Sequence, residues 1–142
     1  MIATDQKGAP MYNIYYAHHQ WKYGTQIEQY ELDLIKRYFP GDTIFNPATE
    51  LMTDPSLGEE AIMEECLERV RNSDIIIFSS MDGVVGTGVY HEIKEARKHG
   101  KFVYYIFNNE LKSAFFVLNI DDEQRTDRLY ATVVTEASLG GL

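Results

Sequence analysis

The stretch from residue 74 to residue 100, DIIIFSSMDGVVGTGVYHEIKEARKHG, limits what this chain can fold into more than any other part of it. The run Ile75, Ile76, Ile77, Phe78 is too short for a free-standing apolar helix and reads as a buried strand. A loop with Gly83, Gly86 and Gly88 follows. Next comes a helical pattern over about residues 89–99, ending on Arg97, Lys98 and His99 before Gly100, a normal helix stop. Strand, glycine loop and helix in that order are half of a parallel βαβ unit. Ligands of open parallel sheets bind outside the carboxyl ends of the strands. The loop and the start of this helix, carrying Glu92, therefore face the functional crevice.

The rest of the chain repeats the alternation. Residues 12–17 (YNIYYA) are aromatic and β-branched and predict a first strand. Thr25 and Glu28 form a capping box that starts a helix. In that helix Ile27, Tyr30, Leu34, Ile35 and Tyr38 recur at core spacing, with Glu28, Glu31, Asp33, Lys36 and Arg37 largely elsewhere around the axis. Pro40-Gly41 stops it, residues 43–45 form a short strand, and residues 48–57 read as loop. A second helix over about residues 58–71 turns Ile62, Met63, Cys66, Leu67 and Val70 inward, so Cys66 reads as core. Residues 101–107 (KFVYYIF) give another strand. The expected fold class is α/β: a doubly wound, mostly parallel open sheet of about five strands, a flavodoxin/Rossmann-like three-layer sandwich with helices on both faces. Residues 114–120 and 129–135 look like further strands, the second expected to join this sheet, and residues 136–142 are expected to fray.

A length of 142 residues suits one domain, here expected over residues 11–142 behind a flexible leader of residues 1–10. The formal net charge of −9 argues against a broad nucleic-acid or anionic-membrane surface. A single cysteine excludes an intrachain disulfide, and no apolar run approaches a membrane span. With no signal-peptide pattern, the expected compartment is the cytoplasm.

Several residues are candidates for a ligand site, each with a plainer alternative. Trp21, Phe45 and Tyr23 offer rings for stacking on a planar ligand, or for ordinary packing. Asn46 can bond a ligand at a strand end or make an Asx turn before Pro47. Backbone N–H groups at Gly86 and Gly88 can hold an anion such as a 5′-phosphate at the helix start. There is no Gly-Lys-Ser/Thr, and His91 stands where a dinucleotide fingerprint would need glycine, so neither a P-loop nor NAD use is expected. The adjacent His18 and His19 lack a spaced carboxylate or cysteine partner, and neither metal nor cofactor is expected.

The ordered elements IYY (14–16), FNP (45–47), SDIII (73–77), GxGVxxEI (86–93) and GKFV (100–103) resemble the nucleoside 2-deoxyribosyltransferase superfamily over roughly residues 11–107. The resemblance implies that Glu92 attacks the anomeric carbon of a nucleoside and that Tyr15 orients it. A carboxylate suits that task, because the N-glycosidic bond breaks through an oxocarbenium-like state that it can stabilise and trap. Taken alone, Glu92 is equally a solvated helix residue and Tyr15 a core aromatic. The chain departs from the superfamily pattern at Cys66 and Gly86, where aspartates are usual, leaving Asp82 as the best general acid. Two functions follow: an enzyme cleaving or transferring at the N-glycosidic bond of a nucleoside or nucleotide, or a non-catalytic nucleotide-binding or sensing module. The resemblance also implies a homo-oligomer whose subunits complete each other's sites, with Asn108 and Asn109 placed to reach across.

Overall fold

The expected alternation of strand and helix is realised in a computed structural model, which describes residues 11–50, 56, 58–81, 84–113 and 132–133. In chain order the elements are β1 (Asn13–Ala17), a 3-10 turn (Gln20–Lys22), α1 (Gln26–Tyr38), β2 (Thr43–Phe45), the short α2 (Pro47–Glu50) and α3 (Glu59–Arg71). Then come β3 (Ile75–Phe78), β4 (Val84–Val85), α4 (Thr87–Lys98), β5 (Phe102–Phe107), β6 (Glu110–Ser113) and β7 (Thr132–Val133). The main sheet has five strands in the order β2-β1-β3-β5-β6. The first four are parallel, and β6 returns antiparallel on β5. From β1 the chain moves outward to β2, then crosses back to β3 on the other side of β1. That reversal leaves a crevice at the carboxyl ends of β1 and β3.

Strand alternation sends neighbouring residues of β1 to opposite faces. Tyr15 and Ala17 pack with Ile76, Phe78, Val103 and Tyr105 beneath Cys66 and Val70 of α3 and Val89, Tyr90, Ile93 and Ala96 of α4. Ile14 and Tyr16 pack with Ile75 and Ile77 beneath Ile35 of α1. Both faces are thus covered, which explains the unbroken apolar run of β3; each of its fully buried isoleucines contributes about 2 kcal/mol. Asp74 ties β3 to β1 ahead of the ladder: its carboxylate accepts the Asn13 N–H at 2.8 Å and its own N–H donates to the Asn13 carbonyl at 2.8 Å.

Four features differ from the sequence expectation. First, α1 is rolled so that Glu28, Glu31, Leu34 and Ile35 are buried, while Ile27 is 57% exposed and Tyr30 and Tyr38 are also exposed. The cause is a buried polar network beneath the helix. Glu31 accepts from the Tyr16 hydroxyl, from Ser79 Oγ at 2.8 Å and from Lys22 Nζ at 3.0 Å. Lys22 is itself buried and donates further to Ser79 Oγ at 2.8 Å and to the Ser80 carbonyl at 2.9 Å. Glu28 accepts from the Gly24 N–H at 3.1 Å and lies 2.6 Å from His18 Nε2, while Thr25 Oγ1 caps the helix by accepting the Glu28 N–H.

Second, the fifth strand is Glu110–Ser113, reached through Asn108 and Asn109 at φ 50° and 62°. Two consecutive left-handed residues make the hairpin turn that matches sheet twist, and asparagine tolerates that conformation. Third, the part of residues 129–135 that is described, β7, pairs antiparallel with β4 in a separate two-stranded sheet rather than joining the main one. Fourth, residues 47–50 are helical where loop was expected from residue 48, because the Asn46 side chain caps Pro47–Glu50 by accepting the Ala48 N–H at 2.9 Å. Residues 1–10, 114–120 and 136–142 lie outside the described residues. No described helix is long and apolar enough to cross a membrane.

Glu31 is buried against a single compensating cation, so Lys22→Met should cost about 3 kcal/mol of stability by stranding that charge. The double variant Lys22→Met/Glu31→Gln should recover more than half of the loss in urea denaturation.

Candidate functional site

Tyr15 points from the middle of β1 toward the face covered by α3 and α4. Its hydroxyl donates to Oε2 of Glu92, which stands in the second turn of α4. α4 starts at Thr87, two residues earlier than its sequence pattern suggests, with Gly86 as N-cap. This one hydrogen bond spans the crevice and brings together the two residues that the sequence resemblance pairs. Glu92 is only 5% exposed. The thiol of Cys66, on α3, lies within hydrogen-bonding reach of both groups. Cys66 is therefore both a core residue and a neighbour of the candidate carboxyl. Its position on the inward stripe of α3 was visible in the sequence; its contact with Glu92 depends on how α3 and α4 pack.

The electrostatics of this cluster follow from burial without a counter-ion. Burial pushes the Glu92 carboxyl up to about 8, against the opposing effect of hydrogen bonds from Tyr15 and Cys66. Burial, reinforced by the Glu92 charge, raises the Tyr15 phenol far above its ordinary value, so it stays a donor. Burial and the same charge bring the Cys66 thiol to about 11, keeping it neutral and a poor nucleophile. On the other face Tyr16 donates to Glu31 in the same way, but there Lys22 supplies a positive charge at 3.0 Å. No lysine or arginine among the described residues pairs with Glu92. The two tyrosine–glutamate pairs thus differ in one respect: Glu31 has a cation and Glu92 has none. A desolvated carboxyl without a cation stabilises positive charge on a ligand strongly, which suits it to a developing oxocarbenium ion.

The other candidate residues divide by position. Phe45 stacks on Tyr15 with ring centroids 5.5 Å apart and carries the Arg69 guanidinium 4.8 Å from its ring centre, so its faces are taken up within the protein. Asn46 is buried and makes the Asx cap described above. Trp21 is 64% exposed on the 3-10 turn and contacts the His19 ring at 4.5 Å rather than the Tyr15–Glu92 pair. Gly86 and Gly88 stand at the start of α4, and a side chain at Gly88 would meet nothing within 4 Å, leaving the helix start open on that side. Asn108 is an exposed turn residue of the β5–β6 hairpin. Asp82 lies outside the described residues. His18 and His19 do not converge on a metal. His18 is buried between the Tyr16 carbonyl and Glu28, and His19 Nδ1 accepts the Trp21 N–H at 3.0 Å. Among the described residues no group of three His, Cys, Asp or Glu side chains is arranged to hold a metal ion.

Sequence reasoning missed the network of Lys22, Glu31 and Ser79. The available signal was the tyrosine pair itself. Two adjacent tyrosines on a strand covered on both sides need hydroxyl partners on both faces.

No protein-family model matches the chain, and no curated protein sequence matches it significantly. Solved structures do. A conserved protein from Enterococcus faecalis V583 superposes with a TM-score of 0.53 at 22% identity over 67% of this chain and 62% of the other. A structure described as a 2-desoxiribosyltransferase from Leishmania mexicana superposes with a TM-score of 0.49 at 19% identity over 66% and 63%. The chain thus spans less than two thirds of the length of either structure, and at 22% identity what it shares with the first is the fold.

Since the Glu92 carboxyl is raised from 4.5 to about 8, the folded state holds its proton over a range where the unfolded chain has released it. Stability is fully retained below about pH 4.5, falls as pH rises toward 8, and levels off above. Glu92→Gln should remove that slope. Its stability relative to wild type should rise between pH 5 and 8 by on the order of 5 kcal/mol and then stay constant.

Proposed function

We propose that this chain cleaves, or exchanges bases at, the N-glycosidic bond of a nucleoside or nucleotide, with Glu92 as nucleophile at the anomeric carbon and Tyr15 orienting it. The observation that carries this proposal is the Tyr15–Glu92 hydrogen bond between β1 and α4, on a buried carboxyl that no lysine or arginine among the described residues pairs with. In the free protein the Glu92 proton is held by burial. A substrate with growing positive charge at its sugar favours the carboxylate, the Glu92 proton passing to solvent as substrate binds, and Tyr15 and Cys66 donate to that charged form. The Glu92 oxygen then bonds to the anomeric carbon as the carbon–nitrogen bond breaks, its electron pair leaving with the base. The departing base takes a proton, assigned to Asp82 from its place in the loop between β3 and α4. Water resolves the glycosyl-enzyme to free sugar; a second base resolves it to a new nucleoside. The start of α4, with buried Gly86 as N-cap and open space at Gly88 among the described residues, is the candidate cradle for a 5′-phosphate.

A second possibility is a nucleotide-binding or sensing module that no longer turns over. The thiol of Cys66 beside Glu92 favours it, because at neutral pH that group supplies neither a charge nor a strong acid.

Incubation of the protein with a panel of nucleosides and 5′-monophosphates, followed by chromatography, separates the two. The enzyme should release free base, Glu92→Gln should release at least about a thousandfold less, and Tyr15→Phe about 10- to 100-fold less. Intact nucleotide bound tightly but never cleaved by wild type would favour the sensing module; neither binding nor cleavage of any panel member would remove both. The enzyme is further proposed to be a homo-oligomer, with Asn108 at the hairpin tip reaching a neighbouring site. Sedimentation at micromolar concentration should therefore show a dimer or larger species.

A further inference from the structure

A cavity of about 290 Å³ lies beside the amino ends of β1 and β2 and the last turn of α3. Neither Tyr15, Cys66 nor Glu92 is among its described lining residues. Phe45 and Arg69 form one wall. The Arg69 guanidinium lies 4.8 Å from the centre of the Phe45 ring, which itself stacks on Tyr15 at 5.5 Å. The Ser73 hydroxyl donates to the Arg69 carbonyl at 2.7 Å and ties down the end of α3. Asn13, on the other side, is fixed by its two backbone bonds with Asp74. The walls are thus set by the fold, yet the polar groups on them are unspent. Among the described residues the side chains of Arg69, Glu50, Asn13 and Asn72 make no hydrogen bond or ion pair. Arg69 and Glu50 carry opposite charges and line the same space without pairing with each other.

A guanidinium and a carboxylate that share a cavity without meeting leave room for a ligand that carries both charges. A multiply charged anion such as phosphate is attracted by Arg69 and opposed by Glu50, and a simple cation meets the reverse. A zwitterion satisfies both. The planar fork of Arg69 takes a carboxylate through two parallel bonds. Glu50 accepts from an ammonium, and the amides of Asn13 and Asn72 each offer a donor and an acceptor to the remaining polar atoms. The volume stands at about the lower bound of small-molecule sites, which suits a molecule of amino-acid size rather than a nucleotide. We propose that this cavity binds a small zwitterion such as a free α-amino acid, with its carboxylate on Arg69 and its ammonium on Glu50. The site is separate from Glu92, and its occupation requires no glycosyl transfer.

The test is calorimetric titration of the full chain with the common free amino acids one at a time, and with acetate, methylamine and inorganic phosphate, which carry one kind of charge only. Expected is saturable binding of at least one amino acid, with acetate and methylamine at least about tenfold weaker. Arg69→Met, which keeps an apolar chain over Phe45, and Glu50→Gln, at an exposed position, should each weaken that amino acid by about 10- to 100-fold. Arg69→Lys should recover only part of the loss, since an ammonium lacks the fork. Glu92→Gln should bind as wild type does. Thermal denaturation without ligand checks the fold of each variant; if Arg69→Met fails that check, Glu50→Gln decides. Binding of no amino acid, or binding that either Arg69→Met or Glu50→Gln leaves unchanged, overturns the proposal. So does an equal loss in Glu92→Gln, which would place the ligand in the crevice. Phosphate bound in preference to every amino acid, and weakened by Arg69→Met alone, overturns it in favour of a simple anion site. None of these outcomes touches the glycosyl-transfer reading.

Discussion

Two adjacent tyrosines on β1 each donate a hydroxyl to a buried glutamate, one on either side of the sheet. The arrangement is forced by alternation along a strand covered on both faces, since each phenol enters a low-dielectric layer and needs an acceptor there. What differs is the compensation. Beneath α1, Lys22 balances Glu31 and ties the turn after β1 to the end of β3 through Ser79 and Ser80. Beneath α3 and α4, Glu92 has only neutral donors, Tyr15 and Cys66. The first pair is therefore an ion-paired network that ties segments together, and the second holds a carboxyl that keeps its proton to about pH 8.

The same fold places both pairs on β1, beside the point where the strand order reverses. Parallel pairing aligns Tyr15 with Ile76 and Ala17 with Phe78, so the floor under Glu92 is apolar and rigid. On the other face the lysine network anchors the turn that carries Trp21 and Tyr23.

Much of this was legible in the sequence, and the failures share one cause. The four parallel strands and the three long helices follow from local signals: apolar runs, a capping box, glycine punctuation and spacing; the pairing of Tyr15 with Glu92 was implied only by the family resemblance. The inward face of α1 does not follow. Periodicity assigned Ile27, Tyr30 and Tyr38 to the core, yet Glu28 and Glu31 are buried in their place. Hydrophobic pattern counts a glutamate as solvent-facing and takes no account of a lysine, a serine and a tyrosine from three other segments that satisfy it. The contacts of Phe45 with Tyr15 and Arg69 were likewise not legible, because those residues come from elsewhere in the chain. The Asn108–Asn109 hairpin was readable from turn chemistry and was passed over for a role in recognition.

By itself the sequence determined the class of fold, the place of the crevice and the identity of the carboxyl at its edge, because these depend on local periodicity and on the order of elements. Tertiary structure alone decided which of the buried glutamates carries a counter-charge among the described residues, that Cys66 neighbours Glu92, and that α1 turns carboxylates inward. Those outcomes depend on long-range pairing of polar groups in a medium of low polarity. There, one lysine, distant in sequence from the end of β3 that it bonds, separates a paired carboxylate from a carboxyl whose proton is held by burial.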